Sequence, residues 1–202
     1  MIYLNNMGKI IAIEGFWRIG KTSLCREISK KIKKAKYIQE LDHLKLRSRP
    51  GNVQYWYLKK WKEKMELAKK YRDKGYNVVM ERSFISTLAF NNALNKKSTR
   101  PMEKLIRYHE KNTPDVVVIL EAPISFLEKI VFSGNDKKIL KTRALYKKRD
   151  FLHKYIEYFH RSLVDFEIKY FYVQTANVDS FYPLNTIVDT VLKKLKEKAP
   201  LR

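Results

Sequence analysis

Short apolar runs alternate along the chain with longer stretches in which apolar residues return every third or fourth position. The first run, Lys9 to Glu14, reads as a strand, followed by a glycine-bearing turn and a helical pattern from about Lys21 to Lys34. An extended stretch comes next at Ala35 to Glu40. From Gln54 to Lys74 the spacing predicts a helix with Trp61, Met65 and Ala68 on one stripe and Gly75 as its stop. Asn77 to Glu81 reads as the third strand, and helical patterns follow over Thr87 to Leu94 and from Pro101 to about Lys111. Val116 to Leu120, the most continuous apolar run, is the fourth strand, and helix returns from Ile124 to about Val131. A polar break falls at Ser133 to Asp136, before a long amphipathic helix predicted over Ala144 to Ile168. Tyr170 to Gln174 is the last strand and Leu184 to Lys198 the last helix.

Five strands separated by helices predict an α/β fold, a five-stranded parallel sheet with helices on both faces. Strands as continuously apolar as Val116 to Leu120 are what a sheet covered on both sides requires. No internal repeat, Gly/Ser linker or low-complexity segment divides the 202 residues, so residues 1–202 read as one domain.

Composition narrows the field of functions. With 45% apolar and 13% aromatic residues the chain is not a disordered one. No apolar run approaches the ~18 residues of a membrane span. Met1 to Met7 leads straight into the first strand with no secretory pattern, so a cytoplasmic setting is expected, and Met7 is an alternative start. Cys25, the single cysteine, excludes an internal disulfide, and His43, His109, His153 and His160 show no metal-type spacing.

Charge is the unusual feature: 43 Lys+Arg against 21 Asp+Glu give a formal net charge of +22. Such an excess is the electrostatic footprint of nucleic-acid binding. Lysines spread over most helical segments are more simply a solvated surface, and the sequence has no helix-turn-helix, zinc-finger or ribonucleoprotein-type motif. A third reading assigns part of the excess to a small polyanionic ligand.

The motif at the first turn supports that third reading. Gly15-Phe16-Trp17-Arg18-Ile19-Gly20-Lys21-Thr22 satisfies G-x-x-x-x-G-K-[ST], with a strand before it and a helix after it. The glycines let backbone N–H groups close around phosphate oxygens, and the helix start adds its positive dipole end. Lys21 supplies a flexible point charge to the terminal phosphates and Thr22 a hydroxyl for Mg2+. The fold class thereby sharpens to a three-layer P-loop NTPase fold. Its donor, ATP with Mg2+, would be held by Gly15, Phe16, Trp17, Arg18, Ile19, Gly20, Lys21, Thr22 and Ser23.

Two further features bear on what is done with the nucleotide. Glu81-Arg82-Ser83 follows the third strand directly, where ligands gather in open α/β sheets. Glu81 there suits a metal site together with Thr22, and Arg82 suits the acceptor end. Between Lys137 and Arg149 stand seven basic residues and no acidic one. A cationic lid of this kind, at about residues 133–150, matches phosphoryl transfer, in which stabilising the migrating charge is most of the catalysis.

At these residues the chain resembles the thymidylate kinase-like family of P-loop nucleotide kinases, with its deoxynucleoside kinase relatives. Ile11 to Gly15 resembles the family's strand-Glu-Gly entry, and Arg82 to Asn91 is similar to its Asp-Arg-aromatic segment. Pro114-Asp115, the following strand and Glu121-Ala122-Pro123 resemble the fourth strand and its ending. Arg143 to Phe159, with Arg161, resembles the lid and the long helix behind it. The resemblance implies that Lys21 and Arg18 act on the transferring phosphoryl group. It also implies that Arg82 binds the acceptor's 5′ end or phosphate, and that Arg143 and Arg149 close as lid arginines. Glu40 matches a glutamate that in nucleoside kinases takes the 5′-hydroxyl proton. A homodimer is implied as well, and the other partner is a small nucleotide or nucleoside acceptor.

The chain departs from the pattern at named positions. Trp17 stands where thymidylate kinases usually carry an acid, Glu81 replaces an Asp, and Leu41 rather than proline follows Glu40. Glu-Arg-Ser is the form typical of deoxynucleoside kinases. A base-stacking aromatic could come from Trp56, Tyr57 or Trp61, positions that at helical spacing also suit a core. The leading expectation is ATP- and Mg2+-dependent transfer to a nucleoside monophosphate, dTMP first. The alternative is a deoxynucleoside kinase phosphorylating the 5′-hydroxyl, and the third a nucleic-acid-associated protein that merely holds a nucleotide.

Overall fold

The computed structural model describes residues 8–41, 50–132 and 150–197. Of the expected lid, residues 133–149 lie outside this set, Arg143 and Arg149 among them.

Five strands, β1 (Ile10–Gly15), β2 (Ala35–Ile38), β3 (Asn77–Glu81), β4 (Val116–Glu121) and β5 (Tyr170–Gln174), form one sheet in the order β2-β3-β1-β4-β5. Every neighbouring pair is parallel. β1 is central because both of its faces are apolar: Ile10 to Ile13 are fully buried. Two side chains brace its start. The Asp115 carboxylate accepts the Ile10 N–H at 2.6 Å, and Asn77 Oδ1 accepts that of Lys9 at 3.1 Å.

Helices cover both faces. α1 (Lys21–Lys31) packs against α7 (Leu184–Glu197) on one side. On the other lie α2 (Val53–Asp73), α3 (Phe84–Ala93), α4 (Arg100–Glu110) and α6 (Phe151–Asp165), with α3 packed along α6 and α2 along both α3 and α4. α5 (Ile124–Phe132) follows β4. The predicted stripe of α2 is its buried face, with Leu58, Trp61, Met65 and Ala68 against the sheet. Asn52 starts that helix, its side chain accepting the Tyr55 N–H at 2.9 Å. No helix among the described residues is long and apolar enough to cross a membrane.

Three helix limits differ from expectation by three positions, one of them the end of α6, at Asp165 rather than Ile168. α1 stops at Lys31 rather than Lys34, because Ile32 turns extended to feed β2. α3 begins at Phe84, three positions before Thr87, because Ser83 caps it and accepts the Ile85 N–H at 3.3 Å.

Candidate active site

The loop after β1 is shaped by residues with positive φ. Gly15 sits at φ 139°, and a Cβ there would lie 2.8 Å from the Leu120 carbonyl oxygen of β4, so only glycine fits. Arg18 (φ 62°) and Gly20 (φ 91°) complete the reversal into α1. Lys21, the first residue of α1, folds its side chain back under the loop and donates to the Phe16 carbonyl. Burial lowers its ammonium to about pKa 7, helped by the Arg82 charge and opposed by the carboxylates of Glu40, Glu14 and Glu81.

Beside the loop, β3 ends in Glu81, a carboxylate whose two oxygens are both engaged. Oε1 accepts the Thr22 hydroxyl, and Oε2 accepts the Tyr37 hydroxyl and lies 3.4 Å from the Glu40 backbone nitrogen. Burial and Glu81 raise the Tyr37 phenol well above its usual range, which keeps it a donor. Thr22 and Glu81 are hard oxygen donors meeting at the mouth of a phosphate loop, a set that fits Mg2+.

The third group is a buried network around Arg82. Glu14, fully buried at the end of β1, accepts the Ser83 N–H and hydroxyl at 2.7 Å each through Oε1, and the Ser86 hydroxyl at 2.5 Å through Oε2. Its carboxyl is pushed up by burial, against the Arg82 charge and the serine hydrogen bonds. Arg82 donates from Nη1 to the Gly15 carbonyl and to Ser86 Oγ, both at 3.0 Å, and its Nε pairs with Glu40 Oε1 at 2.8 Å. Burial works against the guanidinium, but Glu40, Tyr155 and Glu14 outweigh it and hold Arg82 firmly charged. Arg82 also has a positive φ of 64°, a strained backbone that this ring of partners maintains. The Trp17 ring lies 5.5 Å from the Arg82 guanidinium and 5.5 Å from the tilted Tyr155 ring.

Lys21, Thr22, Glu81, Arg82 and Glu40 therefore converge at the carboxyl ends of β1, β2 and β3. Phe16 and Ile19 are buried in the core, while Arg18, Gly20 and Ser23 are exposed. Arg18 donates from Nη1 to the Ile130 carbonyl of α5 at 3.1 Å instead of joining the carboxylate cluster. Trp61 is core, with its indole N–H donating to Thr87 Oγ1 at 3.0 Å. Sequence reasoning missed Tyr37, Tyr155, Ser86 and the structural part played by Glu14. Of these only Glu14 carried a signal, a carboxylate closing an otherwise apolar central strand.

A parallel sheet with a phosphate loop at the end of its central strand, and an arginine and carboxylates at the adjoining strand ends, defines the fold of the P-loop nucleotide and nucleoside kinases. Among solved structures it is similar to the thymidylate kinase of Candida albicans, at 16% identity and a TM-score of 0.64 over 95% of this chain and 92% of that one. The thymidylate kinase of Ehrlichia chaffeensis matches at 13% identity and a TM-score of 0.62, over 94% and 99%. The deoxyadenosine kinase of M. mycoides with bound dATP matches at 16% and 0.61, over 92% and 98%. No protein-family model and no curated protein matches the chain. At these identities the likeness is one of fold.

Proposed function

We propose that this protein is a kinase that transfers the terminal phosphoryl group of ATP, bound with Mg2+, to the 5′-phosphate of a nucleoside monophosphate, dTMP first. The observation that carries the reading is the meeting of Lys21, Thr22, Glu81 and Arg82 where β1 and β3 end. In this reading the loop holds the donor's phosphates and Lys21 neutralises charge on the migrating group. Thr22 and Glu81 hold the metal, which when bound offsets phosphate charge. Arg82 orients the acceptor, so that an oxygen of its phosphate forms the new P–O bond as the bond to the departing ADP breaks. Arg18 would leave the Ile130 carbonyl to reach the donor, and Arg143 and Arg149 would close over both ligands. Thymidylate kinases among the similar structures support this choice of acceptor.

A second reading rests on the Glu40–Arg82 pair. A carboxylate held at 2.8 Å from a buried arginine beside the metal-binding oxygens suits a base for a nucleoside's 5′-hydroxyl, and a deoxyadenosine kinase is among the similar folds. Incubation with ATP, Mg2+ and either dTMP or thymidine separates the two. Formation of dTDP is expected. Turnover of thymidine with none of dTMP would assign the second reading, and ATP consumption with neither, nor with any other nucleoside or monophosphate, would end both.

A further inference from the structure

Lys64 belongs to none of the motifs above. It lies on α2 three positions after Trp61, beside the buried stripe of that helix, and is half-buried. Its nitrogen is buried and has no hydrogen-bond partner. The nearest ring is that of Trp61, 5.1 Å from the ammonium, and Trp61 is itself anchored to Thr87 of α3. Burial lowers the ammonium to about pKa 8, while Glu40 at the end of β2 and Glu81 at the end of β3 pull it upward, so it is cationic at neutral pH.

The other cations at these strand ends are already engaged. Lys21 donates to the Phe16 carbonyl, and Arg82 is shared among Glu40, Gly15 and Ser86. Among the described residues of this cluster, the Lys64 ammonium is buried without a hydrogen-bond acceptor, and a buried polar group without a partner calls for an explanation. An ammonium offers three donors and no acceptor, so its complement is an oxygen-rich group, best an anion. It stands on α2 within electrostatic reach of Glu40, after β2, and Glu81, at the end of β3.

We infer that Lys64 receives the 5′-phosphate of the acceptor nucleotide and so distinguishes a phosphorylated acceptor from a free nucleoside. The inference rests on the acceptor side of the site proposed above and deepens it. Lys64 gains its missing partner when a monophosphate binds, whereas a neutral hydroxyl at the same place could accept one hydrogen bond but would leave the charge unmatched.

Binding tests it without turnover. Calorimetry on the full chain, without ATP, compares dTMP with thymidine, the other deoxynucleoside pairs being run alongside. Lys64→Met is expected to weaken monophosphate binding about tenfold or more, the worth of one charge-assisted contact, and to leave nucleoside binding unchanged. Lys64→Arg restores most of the monophosphate affinity. Should the methionine variant fail to fold, Lys64→Gln keeps the polarity while removing the charge and is read in the same way. Equal losses for both ligands, or no loss for either, would overturn the inference. Monophosphate binding that depends on Lys64 without any phosphoryl transfer would sink the kinase reading alone. Transfer to dTMP with affinity untouched by Lys64→Met would sink only the role of Lys64.

Discussion

Glu40 Oε1 stands 2.8 Å from Arg82 Nε, tying the end of β2 to the residue that follows β3. The pair holds Arg82 in a backbone conformation (φ 64°) that costs a non-glycine residue about 1–3 kcal/mol. Its chemistry offers a way to tell the two proposed acceptors apart. A phosphate oxygen is already a nucleophile, whereas a 5′-hydroxyl must lose its proton to a base.

Glu40→Gln keeps the shape of the side chain and removes its charge. With dTMP as acceptor the expected loss in kcat is about tenfold, from a less firmly held Arg82. A loss of about 10²–10⁴, the usual contribution of a general base, would instead mark Glu40 as the proton acceptor of a nucleoside kinase. Steady-state rates at saturating ATP measure it.

Nucleotide binding should take up a proton. In the empty site the Lys21 ammonium, normally near 10.5, is lowered to about 7, so at pH 8 only about a tenth of the molecules carry that charge. A polyphosphate beside it favours the charged form and raises the pKa. Calorimetry at pH 8 in buffers of different ionisation enthalpy is expected to show uptake approaching one proton per ATP, and Lys21→Met to abolish it. The same shift has a sign in stability. The unfolded chain binds the proton more tightly between pH 7 and 10.5, so this group makes the fold more stable as pH rises through that window.

His109 should set part of the acid limit of the fold. It is fully buried in α4, stacked on Phe84 with ring centroids 4.5 Å apart, and its Nε2 donates to the Leu58 carbonyl at 3.1 Å while Nδ1 has no partner. Burial lowers its pKa from 6.5 to about 4, and Lys62 adds to the effect against the Leu58 hydrogen bond. Between those values the unfolded chain binds more protons, so stability falls as pH drops from 6.5 toward 4. Denaturant titrations across this range are expected to show that loss in the native chain. A His109→Gln variant, which keeps a donor for the carbonyl, should have a flatter profile.

The strands were readable from sequence because their signal is local: β3 and β5 have the expected limits, and continuous apolar runs need both faces covered. The turn after β1 was readable for the same reason, since its chemistry is written in eight adjacent residues. The start of α3 was not, because its cap depends on distance. Ser83 is seated by Glu14, a residue 69 positions earlier, and no window around Phe84 contains that partner. Tyr37 and Tyr155 were missed likewise, each meeting the site from an element whose local pattern speaks only of packing. Trp17 stood out in sequence as a departure from an acidic position. In the structure it serves an aromatic cluster with Phe16, Phe90 and Tyr155.

That cluster equips the molecule with a built-in optical gauge. The Trp17 indole leans on a charged guanidinium and on rings from the loop and from α3 and α6. Any ligand that draws Arg82 aside, or shifts the first turns of α6, alters the polarity and quenching around that fluorophore. Emission from Trp17, one of the chain's three tryptophans, is therefore expected to follow occupancy of the site with no label attached.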